Sequence, residues 1–422
     1  MLPTSESDML PVRAIAFYLP QFHPVPENDE WWGKGFTEWR NVTKARPLFP
    51  GHYQPHLPAD LGFYDLRLPE VREAQAELAR QHGIHGFCYY HYWFNSRRIL
   101  ERPFNEVLQS GKPDFPFCLC WANENWSRAW DGGTRNILLE QHYSEEDDRA
   151  HIESLIPALS DPRYIRINGR PLLLIYRTEL LPNPARTAEI WREVAKEHGL
   201  GDLYLARVEN FVSGVDPESI GFDAAIEFSP DNREVGQAVF SGPITSRLSK
   251  WGILPKAFSQ HTVLRYPVIA ESRMKRTEPP YKQFRCVTPM WDNAARRKVD
   301  GRILIGSAPE IYKRWLSKAI SQTKARFKGD EQIVFINAWN EWAEGCHLEP
   351  DLKHGHAYLE ATRQALNDSL HAAQPEEGLT KQHVNLSKTR NTSSWRRAYW
   401  EWSRRAKYLV DIVKSALRIP AS

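Results

Sequence analysis

The sequence predicts a (β/α)8 barrel with long insertions. Eight short apolar segments are distributed along the chain, and helical patterns lie between many of them. Several of these segments are nearly continuous apolar runs, which is typical of parallel strands covered on both faces. Strands that alternate with helices over about 360 residues favour a closed barrel with its site at the C-terminal strand ends.

The predicted strands comprise, in order, residues 12–19, 84–93, 115–121, 171–176, 203–208, 222–228, 284–291 and 332–339. Helical patterns are clearest at residues 69–82, 185–198, 308–327 and 355–373. The first of these begins with Pro69, repeats apolar residues on one face and ends before Gly83, as helices commonly do.

Three connections depart from a regular barrel. About 50 residues follow the first strand before any predicted helix, and such a long loop is usually functional. Residues 229–282 form a second insertion, whereas the link between strands five and six has room for about one helical turn. We expect the first insertion to form a wall of the active site because it contains Trp31, Trp32, Glu38 and Trp39.

Composition suggests four parts: a disordered N-terminus (1–11), a catalytic barrel (12–373), a polar linker (374–394) and a basic amphipathic helix (395–422). The last segment is typical of a membrane-surface element, and packing on the barrel or on a partner is an equal alternative. There is no run of 18 apolar residues and no N-terminal export signal, so we expect a cytoplasmic protein, with peripheral membrane contact through this helix.

Several classes of function have no support in the sequence. Net charge is only +3 and basic residues concentrate in the tail, so we expect no nucleic-acid partner. The five cysteines are odd in number and irregularly spaced, which indicates buried thiols. Zinc-ligand spacing, a phosphate-binding glycine loop and a nucleophile elbow are missing from the sequence, and we expect neither a metal nor a cofactor.

The most informative segment is residues 333–345, where an apolar run ends in Glu341 and Glu344. Two acids can divide the roles of proton donor and proton acceptor in glycoside chemistry. A strand places residues i and i+3 on opposite faces, so the chain must leave extended geometry near Asn340 or Glu341 for both acids to reach one cavity. A helical turn there would bring them together. In the alternative interpretation, Glu344 caps the chain or pairs with a neighbouring base.

Polar and aromatic residues also follow the other strands, and the C-terminal strand ends of a barrel face one opening. Hydroxyl-binding groups beside flat rings suit a sugar site. Each aromatic residue could instead belong to the core, His91 could be structural, and Glu124 could pair with Arg128. The residues expected to bind substrate are Tyr18, Gln21, His23, Glu38, Trp39, His91, Trp93, Asn123, Glu124, Trp126, Trp291, Asn340 and Trp342.

Five motifs, at residues 17–24, 35–39, 86–93, 121–126 and 337–345, carry a family resemblance. Together they resemble the WbsX-type family, glycosyltransferases of surface-polysaccharide clusters that are similar to glycoside hydrolase family 99. Enzymes of family 99 are metal-independent, retaining endo-acting α-mannosidases and mannanases with a (β/α)8 barrel. The resemblance implies that Glu341 takes a proton from the sugar 2-hydroxyl and that Glu344 protonates the leaving oxygen, through a 1,2-anhydro sugar.

The leading hypothesis is therefore an enzyme that cleaves or transfers α-mannose-like glycosides with retention, in surface polysaccharide or lipopolysaccharide metabolism. Its expected partner is an oligosaccharide or a lipid-linked glycan. One alternative is a nucleotide- or lipid-sugar-dependent glycosyltransferase of O-antigen biosynthesis, and another is a non-catalytic carbohydrate-binding barrel.

Overall fold

The computed structural model describes residues 12–128, 133–231 and 238–371. A closed parallel barrel forms the centre, because the first strand pairs with both the second and the last. This confirms the predicted (β/α)8 fold. The barrel strands are β1 (Arg13–Tyr18), β2 (Ile84–Phe94), β3 (Phe117–Trp121), β4 (Arg170–Ile175), β5 (Tyr204–Glu209), β6 (Ala224–Glu227), β7 (Gln283–Val287) and β8 (Ile333–Ile336).

Strands β7 and β8 end earlier than predicted. Regular pairing stops at Val287 and Ile336 rather than at Trp291 and Trp339. Beyond β8 the chain still bonds to its neighbours, since the Trp339 N–H donates to the carbonyl of Phe17 at 2.8 Å. The apolar pattern continues because these residues stay buried, although they are no longer extended.

The helices lie outside the barrel and in its connections. The four predicted helices are found within two residues of their predicted ends. The helices are α1 (Pro26–Trp32), α2 (Trp39–Lys44), α3 (Pro69–Gln81), α4 (Arg102–Ser110), α5 (Glu145–Leu159), α6 (Pro184–Glu197), α7 (Gly242–Lys250), α8 (Ala257–Gln260), α9 (Tyr266–Met274), α10 (Pro309–Arg326) and α11 (Ala357–His371).

The expectation that no helix lies in the first insertion was wrong, because α1 and α2 occur there. Helices of six or seven residues are too short to produce a clear periodic pattern. The link between β5 and β6 holds one 3-10 turn, Pro217–Ile220, as its length predicted.

The second insertion builds an accessory layer. Its strand Thr262–Arg265 pairs in parallel with Arg302–Ile305, which follows β7. Helix α8 packs beside this pair over a small core separate from the barrel core, and α7 packs against α8. Connections that follow barrel strands leave from their C-terminal ends, so this layer belongs to the mouth of the barrel.

The predicted disordered N-terminus (1–11), linker (374–394) and basic helix (395–422) lie outside the described residues, as do residues 372–373 of the predicted barrel. Among the helices that are described, none is long and apolar enough to cross a membrane. All five cysteines are buried with free thiols.

Candidate active site

The chain beyond β8 makes a tight turn that brings the two candidate catalytic acids together. Asn340–Glu341 pairs in antiparallel fashion with Cys346–His347, and the 3-10 helix Trp342–Glu344 lies between them. Because a 3-10 helix has three residues per turn, Glu341 and Glu344 project on the same side. The expected departure from extended geometry therefore occurs where the sequence placed it.

Gly345 ends this turn, and the space around it leaves no room for a side chain. Its φ is +54°, a left-handed conformation that favours glycine. A Cβ at this position would lie 2.9 Å from the carbonyl oxygen of Asp292. The Asp292 N–H also donates to the carbonyl of Glu344 at 2.7 Å, which fixes the turn against the segment that follows β7.

Asn340 anchors the other end of the turn. Its Oδ1 accepts from the Leu19 N–H at 2.7 Å, and its Nδ2 donates to the Leu19 carbonyl at 3.0 Å. The side chain thus ties the end of β8 to the end of β1. It positions the acids and does not line the cavity.

Both acids face a cavity of about 370 Å³ at the mouth of the barrel. Of the residues expected to bind substrate, Gln21, Glu124 and Trp126 line it. The lining also includes residues that the sequence did not single out as candidates, namely Leu19, Asn28, Tyr90, Tyr92, Ala122, Asn125, Ser127, Leu138, Tyr176, Phe211, Phe228, Arg296 and Arg297, together with Trp32 from the insertion expected to form a wall.

Arg296 joins three carboxylates at the base of this cavity. Its Nη2 lies 3.0 Å from Glu341 Oε2, its Nη1 lies 2.9 Å from Glu344 Oε1, and its Nε lies 3.1 Å from Glu38 Oε2. Glu38 is fully buried and is joined to the acid pair by this guanidinium. No local sequence pattern singled out Arg296, although it follows closely after the predicted strand 284–291.

Burial dominates the protonation of the acid pair. It raises the pKa of Glu341 to about 8, against the effect of Arg296 and with added repulsion from Glu344 and Glu38. Burial also raises the pKa of Glu344, again against Arg296. Two interacting acids with raised pKa values titrate as a pair, so the pair retains a proton near neutral pH.

Polar atoms without partners also surround the cavity. Within the described part of the chain, Gln21 Nε2 and both side-chain polar atoms of Asn28, two residues of the cavity lining, are buried and make no hydrogen bond. Such groups are costly unless something else satisfies them. Hydroxyl groups of a bound sugar could do so.

Several predicted residues face the helices instead of the cavity. The Tyr18 hydroxyl donates to Gln75 at 2.7 Å, and Trp93 Nε1 donates to Asp147 at 2.9 Å. His91 Nε2 lies 2.9 Å from His151 Nε2, and burial holds the pKa of His91 well below its usual value. Since side chains alternate along a strand, the neighbours Tyr90 and Tyr92 line the cavity in their place.

Other predicted residues brace the loops. Trp39 Nε1 donates to the Tyr64 carbonyl at 2.8 Å, and Trp342 Nε1 donates to Glu349 at 2.6 Å. Asn123 bonds to the backbone of Arg177 at 2.8 and 2.9 Å, next to the ion pair that joins Arg177 to Glu124.

His23 and Trp291 have different surroundings. His23 is buried away from the cavity lining, and burial lowers its pKa to about 4. Trp291 lines a second cavity of about 250 Å³ behind the turn.

One group of the described residues has donor atoms suited to a cation. His56 Nδ1 lies 3.0 Å from His347 Nε2, and His347 Nε2 lies 3.9 Å from Asp351 Oδ2. All three residues are buried, and burial lowers the pKa of His347 to about 4, which keeps the imidazole neutral. This group is separate from the cavity that holds Glu341 and Glu344.

A buried acid, Glu341, paired with a half-buried one, Glu344, beside aromatic rings at the mouth of a barrel is typical of carbohydrate-active enzymes. The chain belongs to the glycosyltransferase WbsX family, whose model matches residues 14–362. The proteins named "uncharacterized protein WxcX" from two strains of Xanthomonas campestris pv. campestris are 46% identical over 359 and 363 residues. Those alignments cover 85% and 86% of this chain, which spans about half the length of these relatives (50% and 51%).

Solved structures share the fold at low sequence identity. The GH99 endo-α-mannosidase from Bacteroides thetaiotaomicron, in complex with bis-tris-propane, matches with a TM-score of 0.51 and 16% identity, over 86% of this chain and all of that one (100%). A glycoside hydrolase-like protein matches with a TM-score of 0.52 and 13% identity, over 87% of this chain and 96% of that one. Family and fold together support a carbohydrate-active enzyme.

Proposed function

We propose that this protein cleaves or transfers α-mannose-like glycosides with retention of configuration. The observation that carries the proposal is the pair Glu341 and Glu344, held on one side of the cavity by Arg296 at 3.0 and 2.9 Å. The unpartnered polar atoms of Gln21 and Asn28 supply further contacts for sugar hydroxyls. Tyr90, Tyr92 and Trp126 supply flat surfaces for a sugar ring.

In the first step, the Glu341 carboxylate takes the proton of the 2-hydroxyl and O2 attacks the anomeric carbon. The bond from that carbon to the leaving oxygen breaks, and Glu344 donates its proton to that oxygen. The product is a 1,2-anhydro sugar. In the second step, Glu344 takes a proton from water or an acceptor hydroxyl, whose oxygen attacks the anomeric carbon. The bond from that carbon to O2 breaks, and O2 recovers its proton from Glu341. Two inversions give net retention.

The pair must hold one proton for this sequence to begin. Burial raises both pKa values, which meets that requirement near neutral pH. Because the two acids contact the same guanidinium and titrate as a pair, they share this proton in the free enzyme. The assigned roles therefore require the proton to reside on Glu344 once the sugar is bound.

The roles can be separated with substrates that differ in their leaving group. A variant that lacks the acid keeps much of its rate on an α-mannosyl fluoride, whose leaving group needs no protonation, but loses its rate on an oligosaccharide. We expect this behaviour for Glu344→Gln. Glu341→Gln should lose most of its rate on both substrates. The opposite pattern would exchange the two roles, and wild-type rates in either variant would refute the assignment.

Transfer of sugar from an activated donor is the second candidate, favoured by the family's description as glycosyltransferases. Arg297 lines the cavity and lowers the pKa of Glu344 against the effect of burial. Its guanidinium therefore supplies a positive charge for the phosphate of an activated sugar donor. Incubation with oligosaccharides and with nucleotide- or lipid-linked donors, with the anomeric configuration followed by NMR, distinguishes the candidates. Binding without turnover would instead support a carbohydrate-binding barrel.

We also propose that the substrate is an oligosaccharide or lipid-linked glycan of surface polysaccharide assembly, handled in the cytoplasm. The basic, aromatic pattern of residues 395–422 supports peripheral contact with the membrane. Fractionation of cells that make the full chain would test this location.

A further inference from the structure

Helix α7 turns its polar side inward and its apolar side outward. Its buried residues are Thr245 and Ser249, whereas Ile244 is 70% exposed. Just beyond the helix, Trp251 is 72% exposed and Ile253 is 63% exposed. A helix on a globular domain normally buries its apolar stripe, and large exposed apolar patches mark interaction sites.

The exposed side chains form one surface. Ile244 and Trp251 are exposed and Leu248 between them is half-buried. Their spacings of four and three residues place all three on the same side of the helix. The buried polar side is satisfied locally, since Thr245 Oγ1 donates to the Ser241 carbonyl at 3.0 Å. We call the surface of Ile244, Leu248, Trp251 and Ile253 the α7 apolar face.

Charge around the α7 apolar face favours an anionic surface. Residues 241–260 contain Arg247, Lys250 and Lys256 and no acidic residue. Exposed tryptophan and isoleucine beside lysine and arginine are typical of segments that lie in the bilayer interface. The basic C-terminal segment, 395–422, carries charge of the same sign and is a poor occupant for this face.

The α7 apolar face also lies toward the end of the barrel that holds the Glu341 and Glu344 cavity. Helix α7 belongs to the connection after β6, before α9 returns along the barrel, and this connection emerges at the C-terminal strand ends. A bilayer on this face would meet the same side of the barrel as the Glu341 and Glu344 cavity. Delivery of a lipid-linked glycan to that cavity rests on the proposed function, but docking itself does not.

We propose that the α7 apolar face docks on the headgroup region of an anionic lipid bilayer. Trp251 and the two isoleucines would enter the boundary between headgroups and acyl chains. Arg247, Lys250 and Lys256 would contact lipid phosphates. No membrane-spanning segment is required for contact of this kind.

The test is flotation of the full chain with vesicles of phosphatidylglycerol and phosphatidylcholine, compared with vesicles of phosphatidylcholine alone. We expect the wild type to float with the anionic vesicles and to be released by salt. The double variant Trp251→Ser, Ile253→Ser should bind at least about tenfold more weakly. Lys250→Glu should bind roughly fivefold more weakly.

The matched control is Leu352→Ser, which removes an equally exposed side chain (69%) from the loop after β8 and should bind like the wild type. Equal flotation of the wild type and the double variant, or no flotation of the wild type, would overturn the proposal. So would a dimer in solution that the double variant dissociates. Turnover of a water-soluble oligosaccharide should be unchanged in the double variant, so failure of docking and failure of the proposed function remain distinguishable.

Discussion

Two ionic clusters lie at the ends of barrel strands, one centred on a carboxylate and the other on a guanidinium group. At the end of β6, one carboxylate, Glu227, is contacted by Arg273 at 2.7 Å, Arg276 at 3.1 Å and Arg285 at 3.5 Å. Beyond β8, one guanidinium, that of Arg296, is contacted by three carboxylates. The same residue types therefore produce two different electrostatic environments in one barrel.

The pKa values of the acids differ between the two clusters in the direction that the surrounding charges predict. At Glu227, burial opposes ionisation, but the three arginines outweigh it and lower the pKa. At Glu341 and Glu344, burial outweighs the single Arg296 and raises the pKa values. Only the second cluster keeps a proton available for transfer near neutral pH. The comparison indicates that the ratio of acids to guanidinium groups, rather than burial alone, decides whether a cluster holds a proton near neutral pH.

The largest expected effect concerns activity in the second cluster. Glu341→Gln and Glu344→Gln should each lower turnover of an oligosaccharide about 10²- to 10⁴-fold, because each removes a group that transfers a proton in the proposed mechanism. Neither should lower the free energy of unfolding, since each removes an acid from a cluster that has an excess of acids. Steady-state kinetics and urea denaturation check the two statements, and a large loss of stability would contradict the comparison.

The opposite result is expected at Glu227. Glu227→Gln leaves Arg273, Arg285 and Arg276 without their shared carboxylate and should cost about 3–5 kcal/mol of unfolding free energy. The matched control is Glu77→Gln, whose ion pair with Arg80 is exposed and should matter little. Urea denaturation of both variants measures the contrast, and equal stabilities would show that the β6 cluster is not structural.

Local patterns predicted the barrel because apolar runs and helix periodicity report burial directly. They also predicted the turn that joins Glu341 and Glu344, since the spacing of the acids required one. The facing of the aromatic residues was harder. His91 and Trp93 were predicted to bind substrate, whereas Tyr90 and Tyr92 line the cavity. Both faces of β2 are apolar, so the alternation of side chains does not distinguish the face toward the cavity from the face toward the helices.

Arg296 was beyond the reach of pattern reasoning. It lies 45 positions before Glu341, and its partner Glu38 lies 258 positions before it. Only closure of the barrel brings the connection after β7, the first insertion and the turn after β8 to one place. Residues that act through such long-range contacts carry no local signature in a single sequence.

The pH dependence of the rate in an Arg296 variant is a sharper test of the comparison between the two clusters. The proton of the acid pair should be lost as pH passes about 8, so the wild-type rate should fall on the alkaline side. Arg296 lowers the pKa of both acids, so Arg296→Gln should move this alkaline limb to higher pH and reduce turnover about tenfold or more. Rate against pH measures both effects.

A suitable control is Arg177→Gln, which removes a guanidinium from Glu124 on the cavity wall. Its alkaline limb should stay where the wild type has it, because Arg177 does not contact the acid pair. A shift of equal size in both variants would mean that the general field of the cavity, and not the shared guanidinium, sets the pKa values.

The smallest expected effect comes from Glu349, an acid whose hydrogen-bond partners are neutral. It accepts hydrogen bonds from Tyr64 at 2.8 Å, Gln75 at 2.6 Å and Trp342 at 2.6 Å. Burial raises its pKa to about 7, against the effect of these donors. Because no arginine within residues 12–128, 133–231 and 238–371 contacts Glu349, burial should again determine the pKa, as it does for Glu341 and Glu344.

The raised pKa of Glu349 determines whether its contribution to stability rises or falls with pH. Between about pH 4.5 and 7 the folded state holds a proton on Glu349 that the unfolded state has released, so this contribution to stability is complete below that range and is lost as pH rises through it. The difference in unfolding free energy between the wild type and Glu349→Gln should therefore shrink or reverse by on the order of 2–3 kcal/mol from pH 4.5 to 8. Urea denaturation across that range measures it. A difference that stays constant would mean that Glu349 is ionised throughout, and that neutral donors can replace arginine in holding a buried carboxylate.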